Sequence, residues 1–310
     1  MNRKRLQSLG LLLAVTLTSL ALAQQKGTVA IGSKLDSEGQ LLGQMLRLTL
    51  EHAGFTVKAQ IPTGNTFVTR KALLEGQIDI YPEYTGSAIN NFFKGQKIDP
   101  TAPSRAAQSF AIVKTLDLKL NNIAWLERAP ANNTFAVAIP KTLATREGLK
   151  SLVNLATYVN KGGVLKVAGS QEFFERSDAF PSFEKAYGFK LKADQKVVIA
   201  GATTSQTEQA AASNNDGVNA AMAYGTDGAI AALGLVVLSD PKGAQPVYQP
   251  APTIRGEVLK KHPEIAGLLN PIFKGLTLPV LQNLNRQIDL EGKLPQEVAR
   301  AYLASKGFLK

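Results

Sequence analysis

Cysteine is missing from all 310 residues. The chain can therefore form neither a disulfide nor a thiolate metal site, and no lipid can be attached to a cysteine behind a leader. Histidine is nearly as scarce: His52 and His262 stand far apart, each beside a helix-ending residue, Gly54 or Pro263. No G-x-S-x-G elbow, P-loop or G-x-G-x-x-G fingerprint occurs. Asp79 and Glu83 remain as an acid–base pair in principle, but Glu83 reads as a local acceptor for backbone N–H groups of its own turn. These gaps exclude most catalytic and metal chemistry, and no enzyme activity, metal or cofactor is expected.

Long apolar runs are missing too, with one exception. Leu9 to Leu22 is apolar, follows Arg3, Lys4 and Arg5, and ends in Ala21-Leu22-Ala23. That is the pattern of a secretory leader with an A-x-A cleavage site. No later stretch approaches the length of a bilayer span. Residues 1–23 are read as a signal peptide and the mature chain as starting near Gln24. An exported protein without a lipid anchor stays with its cell only behind an outer membrane, which favours the periplasm.

Of the 35 basic side chains three belong to the leader, leaving 32 against 24 acidic ones, a balance of +8. The lysines are scattered rather than clustered, so this is a solvated basic surface and not a nucleic-acid footprint. Residues 24–310 exceed what one core usually takes up, so two domains are expected. With 45% hydrophobic residues there is material for both cores.

Strand and helix patterns alternate from the start of the mature chain. Thr28–Ile31 reads as a strand, 39–52 as a helix with Leu41, Leu42, Met45, Leu46 and Leu50 on one face, and 55–61 as a second strand. Thr66–Leu74 reads as a helix closed by Gly76, and 78–81 as a third strand. The pattern restarts at 134–139, followed by helix 151–159, strand 165–168, helix 180–187 and strands at 197–200 and 235–238. Such alternation implies α/β units with largely parallel sheets, which hold ligands beyond the carboxyl ends of their strands.

Three segments sit at such ends. Gly32-Ser33-Lys34 closes the first strand with Asp36 or Ser37 ready to cap a helix; backbone N–H groups and the lysine there could hold an anion, or Lys34 is a surface lysine in a turn. Gly64-Asn65-Thr66 follows the second strand. Asp79-Ile80-Tyr81-Pro82-Glu83-Tyr84-Thr85-Gly86-Ser87 follows the third, and there Tyr81 reads as core and Tyr84 as ligand-facing.

GSK-x-x-S-E-x-x-L-L-G, GQIDIYPEYTGSA, NNTFAVAI, EFFERSDAFP, AYGTDG and VYQPAPTIR occur in this order over nearly the whole mature chain. In this the chain resembles the osmoprotectant-binding proteins of the glycine betaine/choline ABC importers. The resemblance implies an α/β, two-domain periplasmic binding protein of type II, a Venus flytrap with two interdomain crossovers. Domain I would comprise 24–130 and 238–310, and domain II 131–237; the restart at Thr134 agrees. It implies a solute receptor, expected to be monomeric, that passes a quaternary ammonium to an ABC permease at the inner membrane. Carried over by motif, Tyr84, Tyr224 and Tyr248 would box the trimethylammonium, with Phe135 at the fourth position, while Lys34, Ser87 and Arg176 would meet a carboxylate.

The physics fits that division. A quaternary ammonium has no N–H to donate, so aromatic faces and shape must recognise it, whereas a carboxylate suits the planar fork of arginine. Other roles exist for two of these residues: Tyr248 could pin a proline-rich loop, and Arg176 could pair with Asp178 or Glu172 on the surface. The sequence departs from the family at Phe135, where a tyrosine is usual, at Ala131, where an aromatic is common, and at Leu35-Asp36-Ser37-Glu38, which replaces N-F-T-E. Phenylalanine keeps the π face without the hydroxyl, so the box is looser or tuned to another cation. The competing functions are a receptor for another small solute such as an amino acid, an accessory sensor, and an exported hydrolase.

Overall fold

The computed structural model describes residues 26–201 and 203–309, so the expected leader lies outside the described residues. Ten strands are found there: β1 (Thr28–Lys34), β2 (Thr56–Gly64), β3 (Ile80–Tyr84), β4 (Ile123–Trp125), β5 (Phe135–Pro140), β6 (Val167–Gly169), β7 (Lys196–Val198), β8 (Ala220–Tyr224), β9 (Leu235–Val237) and β10 (Pro250–Arg255). They form two five-stranded sheets, ordered β2-β1-β3-β10-β4 and β7-β6-β8-β5-β9. The chain passes from the first sheet to the second through 126–134 and returns through 238–249. The two-domain binding-protein architecture is thereby built.

Local chemistry starts the first unit. Asp36 caps the helix Ser37–His52 by accepting the Gly39 N–H at 2.7 Å. Along that helix Leu41, Leu42, Met45, Leu46 and Leu50 are fully buried, the stripe seen in the sequence. Each contributes about 1.5–3 kcal/mol by leaving water, which fixes the helix across the sheet and its N-terminus beside the end of β1. Asn65 caps the helix Thr66–Leu74 in the same way, accepting from the Phe67 and Val68 N–H groups.

The sheets are mixed rather than largely parallel. β1 pairs parallel with β2 and β3, and β6 with β7 and β8. The pairings of β10 with β3 and β4, and of β5 with β8 and β9, are antiparallel. The reason is topological: β10 and β5 enter from the opposite unit along a crossover instead of returning through a helix of their own unit, so the strand–helix–strand rule does not set their direction. The two crossovers run side by side, with the Asn133 N–H on the Tyr248 carbonyl at 2.9 Å and Asn132 Oδ1 accepting the Tyr248 N–H at 2.8 Å.

A third contact joins the units. The helix Leu278–Asp289 packs on the helix Ser37–His52 and also meets the turn after β8. Gln282 donates to the Gly225 carbonyl at 3.1 Å, and Asn285 to the Thr226 carbonyl at 3.0 Å. A Cβ on Gly228 would stand 2.2 Å from the Gln282 carbonyl oxygen, so this residue has to be glycine for the helix to come so near.

Candidate functional site

A cavity of about 310 Å³ lies where strand ends of both sheets meet the crossovers, and Lys34, Tyr84, Ser87, Phe135, Tyr224 and Tyr248 all line it. The seventh expected residue, Arg176, is buried directly behind this wall. Topology explains the convergence. Lys34 ends β1, Tyr84 ends β3 and Tyr224 ends β8. Phe135 begins β5 and is the register partner of Tyr224, and Tyr248 lies on the second crossover.

Four rings dominate the lining. Phe135 and Tyr224 are 4.9 Å apart between centroids and tilted by 38°, and Phe135 meets Tyr248 edge-on at 5.8 Å. Tyr248 is held from two sides. Its hydroxyl donates to Asp178 Oδ2 at 2.7 Å, and its ring lies on Gly86, where a Cβ would approach it to 2.9 Å. It therefore does more than pin a loop. Tyr224 is fixed through its backbone, since Asp227 accepts its N–H at 2.5 Å and the Thr204 hydroxyl at 3.0 Å. Burial pushes the Glu208 and Asp227 carboxyls up, Asp227 further by the charge of Glu208 and Glu208 further by that of Asp289.

The cations of the site are already paired. Lys34 Nζ lies 2.6 Å from Glu83 Oε1 and 4.9 Å from the Tyr84 ring centroid, so it is no surface lysine. Glu83 accepts the Tyr84 N–H, as its local reading has it, but takes the Lys34 ammonium and the Tyr81 hydroxyl as well. Arg176 turns its fork to Asp178, with Nε–Oδ1 at 2.9 Å and Nη2–Oδ2 at 2.6 Å, and its Nη1 donates to Glu172 at 2.7 Å. The Asp178 pair is buried and the Glu172 pair half-buried, so neither is superficial. Burial raises both carboxyls, but the guanidinium outweighs it and leaves them below their ordinary values. Longer contacts reach Thr66 at 3.4 Å and Ser87 at 3.5 Å, both in the first unit, so Arg176 also spans the cleft.

Tyr84 ends in a carboxylate as well: its hydroxyl donates to Glu38 Oε1 at 2.9 Å. The same group accepts Asn133 Nδ2 at 3.0 Å and Asn285 Nδ2 at 2.8 Å. Burial pushes Glu38 up to about 7 against these hydrogen bonds.

Several lining residues escape the motif-based assignment, among them Asp36, Asn65, Asn133, Glu172, Thr204 and Met222. Asn65, Asn133 and Glu172 stand inside or beside quoted motifs, and Asp36 is legible as a helix cap. Thr204 and Met222 carry no sequence signal. Lys34 is met by Glu83, and the single guanidinium of Arg176 faces both Asp178 and Glu172, so Asp36 and the shared Arg176 cluster leave the surroundings of the cavity acidic. Among the described residues no group of three or more carboxylate or imidazole side chains could hold a metal, and no helix is long and apolar enough to cross a membrane.

A family profile described as the substrate binding domain of ABC-type glycine betaine transport systems matches residues 27–305. The glycine betaine-binding protein YehZ of Escherichia coli K12 is 46% identical over 301 residues, 97% of each chain. A glycine-betaine-binding protein of Pseudomonas aeruginosa is 33% identical over 287 residues, 90% of this chain and 88% of that one. The solved apo structure of Escherichia coli YehZ superposes with a TM-score of 0.66 at 48% identity, covering 91% of this chain and 99% of that one.

Proposed function

Because the chain belongs to the family of substrate-binding domains of ABC-type glycine betaine transport systems, we propose that it captures a quaternary-ammonium osmoprotectant, of the glycine betaine or choline type, in the cavity between its units. It is a substrate-binding component and not an enzyme. The observation that carries the ligand class is the set of four rings, Tyr84, Phe135, Tyr224 and Tyr248, on one cavity whose lining carboxylates, Asp36 and Glu172, outnumber the one lining cation, Lys34. Such a surface attracts a cation that cannot donate hydrogen bonds, at about 2 kcal/mol for a desolvated ring contact.

The polar end of the ligand is assigned to Lys34 and Ser87, which line the cavity. Arg176 is assigned to closure, because its fork is spent on Asp178 and its remaining contacts reach Thr66 and Ser87 across the cleft. The domain limits proposed are 24–130 with 238–310 and 131–237, which put one sheet in each. Opening and closing about the two crossovers would then present the loaded, monomeric receptor to a permease, from a periplasm reached by the leader at 1–23.

One observation favours a second reading. Asp36 and Glu172 could accept the N–H groups of a primary ammonium, as a receptor for an amino acid requires. A calorimetric screen with glycine betaine, choline, carnitine, proline betaine and common amino acids separates the two. Binding of the methylated cations supports the proposal; binding of ordinary amino acids alone overturns it.

A further inference from the structure

The tyrosines of the site do not end in water. Tyr84 and Tyr248 each donate the hydroxyl to a carboxylate, Glu38 and Asp178, that is 4% and 6% exposed. The two pairs differ in charge. Asp178 is balanced by the guanidinium of Arg176. Glu38 is met by three neutral donors, Tyr84, Asn133 and Asn285. All three donate, so the arrangement suits an ionised carboxylate with no cation bonded to it; the Lys34 ammonium, 4.9 Å from the Tyr84 ring centroid, is bonded to Glu83 instead.

A trimethylammonium and a tert-butyl group have nearly the same shape and bury similar apolar area, so burial alone does not tell them apart. The electrostatic attraction of an aromatic face does. A phenol that donates to a carboxylate in a low-dielectric site is strongly polarised, which moves electron density into the ring. We propose that Glu38 is a positioning residue that sets specificity through Tyr84: its unpaired charge enriches the ring, so that the cavity takes a quaternary ammonium over an uncharged body of the same shape. This rests on the quaternary-ammonium reading above and adds what makes the site select charge rather than size.

A second consequence is a pH profile. Around Glu38 stand Asp36 at the start of its own helix, Tyr84 from β3, Asn133 from the first crossover, Asn285 from the helix Leu278–Asp289 and Thr226 from the turn after β8. Asp36 and Tyr84 are the ionisable ones, and the Asp36 charge raises Glu38 further. Burial, the larger cause, brings Glu38 to about 7. Glu38 is charged above that value, so affinity for a cation falls as pH falls through it.

The test compares choline with its neutral isostere 3,3-dimethylbutan-1-ol by calorimetry, in the wild-type protein, Glu38→Gln, Tyr84→Phe and the double variant. The preference for choline should drop roughly three- to tenfold in each single variant and no further in the double, as expected of residues acting as one unit. The affinity for the alcohol should stay nearly level throughout. Acidification through neutrality should weaken choline in the wild type and much less in Glu38→Gln, where any remaining slope belongs to Asp36 or the Glu208–Asp227 pair. An unchanged preference in either single variant, or losses that multiply in the double, overturns the proposal. Should Glu38→Gln not fold, Tyr84→Phe and the wild-type pH profile decide alone. A wild-type protein that binds neither choline nor betaine overturns the functional reading itself.

Discussion

Tyr224 differs from the other two tyrosines of the cavity in having no hydrogen bond to its hydroxyl among the described residues, while its backbone is held by Asp227. Its ring face is therefore what it offers. Tyr224→Ala should weaken choline and betaine by about 1–2 kcal/mol, and Tyr224→Phe should be nearly silent, as calorimetry can establish. A phenylalanine as damaging as alanine would move the determinant from the face to the hydroxyl. Arg176 is the opposite case, since Asp178, Glu172, Thr66 and Ser87 between them engage all three nitrogens of its guanidinium. Arg176→Ala leaves Asp178 and Glu172 unpaired and should cost about 3–5 kcal/mol of stability. It should weaken betaine and choline alike, and Arg176→Lys should restore the charge without the fork. A loss confined to betaine would return Arg176 to the ligand carboxylate.

At the scale of elements, the helix Leu278–Asp289 is the least expected participant. It belongs with the first unit by packing, yet Gln282 and Asn285 bind the turn that follows the site strand β8. Gly228→Ala places a methyl against the Gln282 carbonyl and should cost about 1–3 kcal/mol by overpacking. Thermal unfolding would show the loss, and calorimetry should show weaker ligand binding, because the displaced turn carries Asp227 and so Tyr224. An unchanged melting temperature would mean that the helix and the turn separate at little cost.

For the whole molecule, buried carboxyls set the pH dependence. Glu38, Glu208 and Asp227 hold their protons more tightly when folded, because burial raises them. Between the ordinary carboxylate range and neutrality the folded chain therefore binds more protons than the unfolded one, and stability falls as pH rises through that window. Glu172 and Asp178 are lowered, so their contribution is present above the ordinary range and lost as pH falls below it. The unliganded protein should thus be most stable near about pH 5, with Glu208→Gln shrinking the alkaline fall. A melting temperature that climbs steadily from pH 5 to 8 would contradict the upward shift of these groups.

Much of this protein was decided along the chain. The apolar stripe of the helix Ser37–His52, the caps at Asp36 and Asn65 and the helix Phe180–Tyr187 follow from neighbours within a few residues, where spacing and capping chemistry suffice. The motifs around Lys34, Tyr84, Ser87, Phe135, Tyr224 and Tyr248 also marked six residues that share one cavity. What the sequence could not hold is pairing at long range. Glu38 finds Asn285 from 247 positions away, and Lys34 finds Glu83 from 49. Nor could it hold the antiparallel entry of β10 and β5 into the sheets or the approach of Thr204 and Met222 to the cavity. Glu38 with Asn285 and Lys34 with Glu83 join distant segments of one unit, and the cavity itself needs both units; an ion pair or a packing contact leaves no periodic trace in either of the segments that make it.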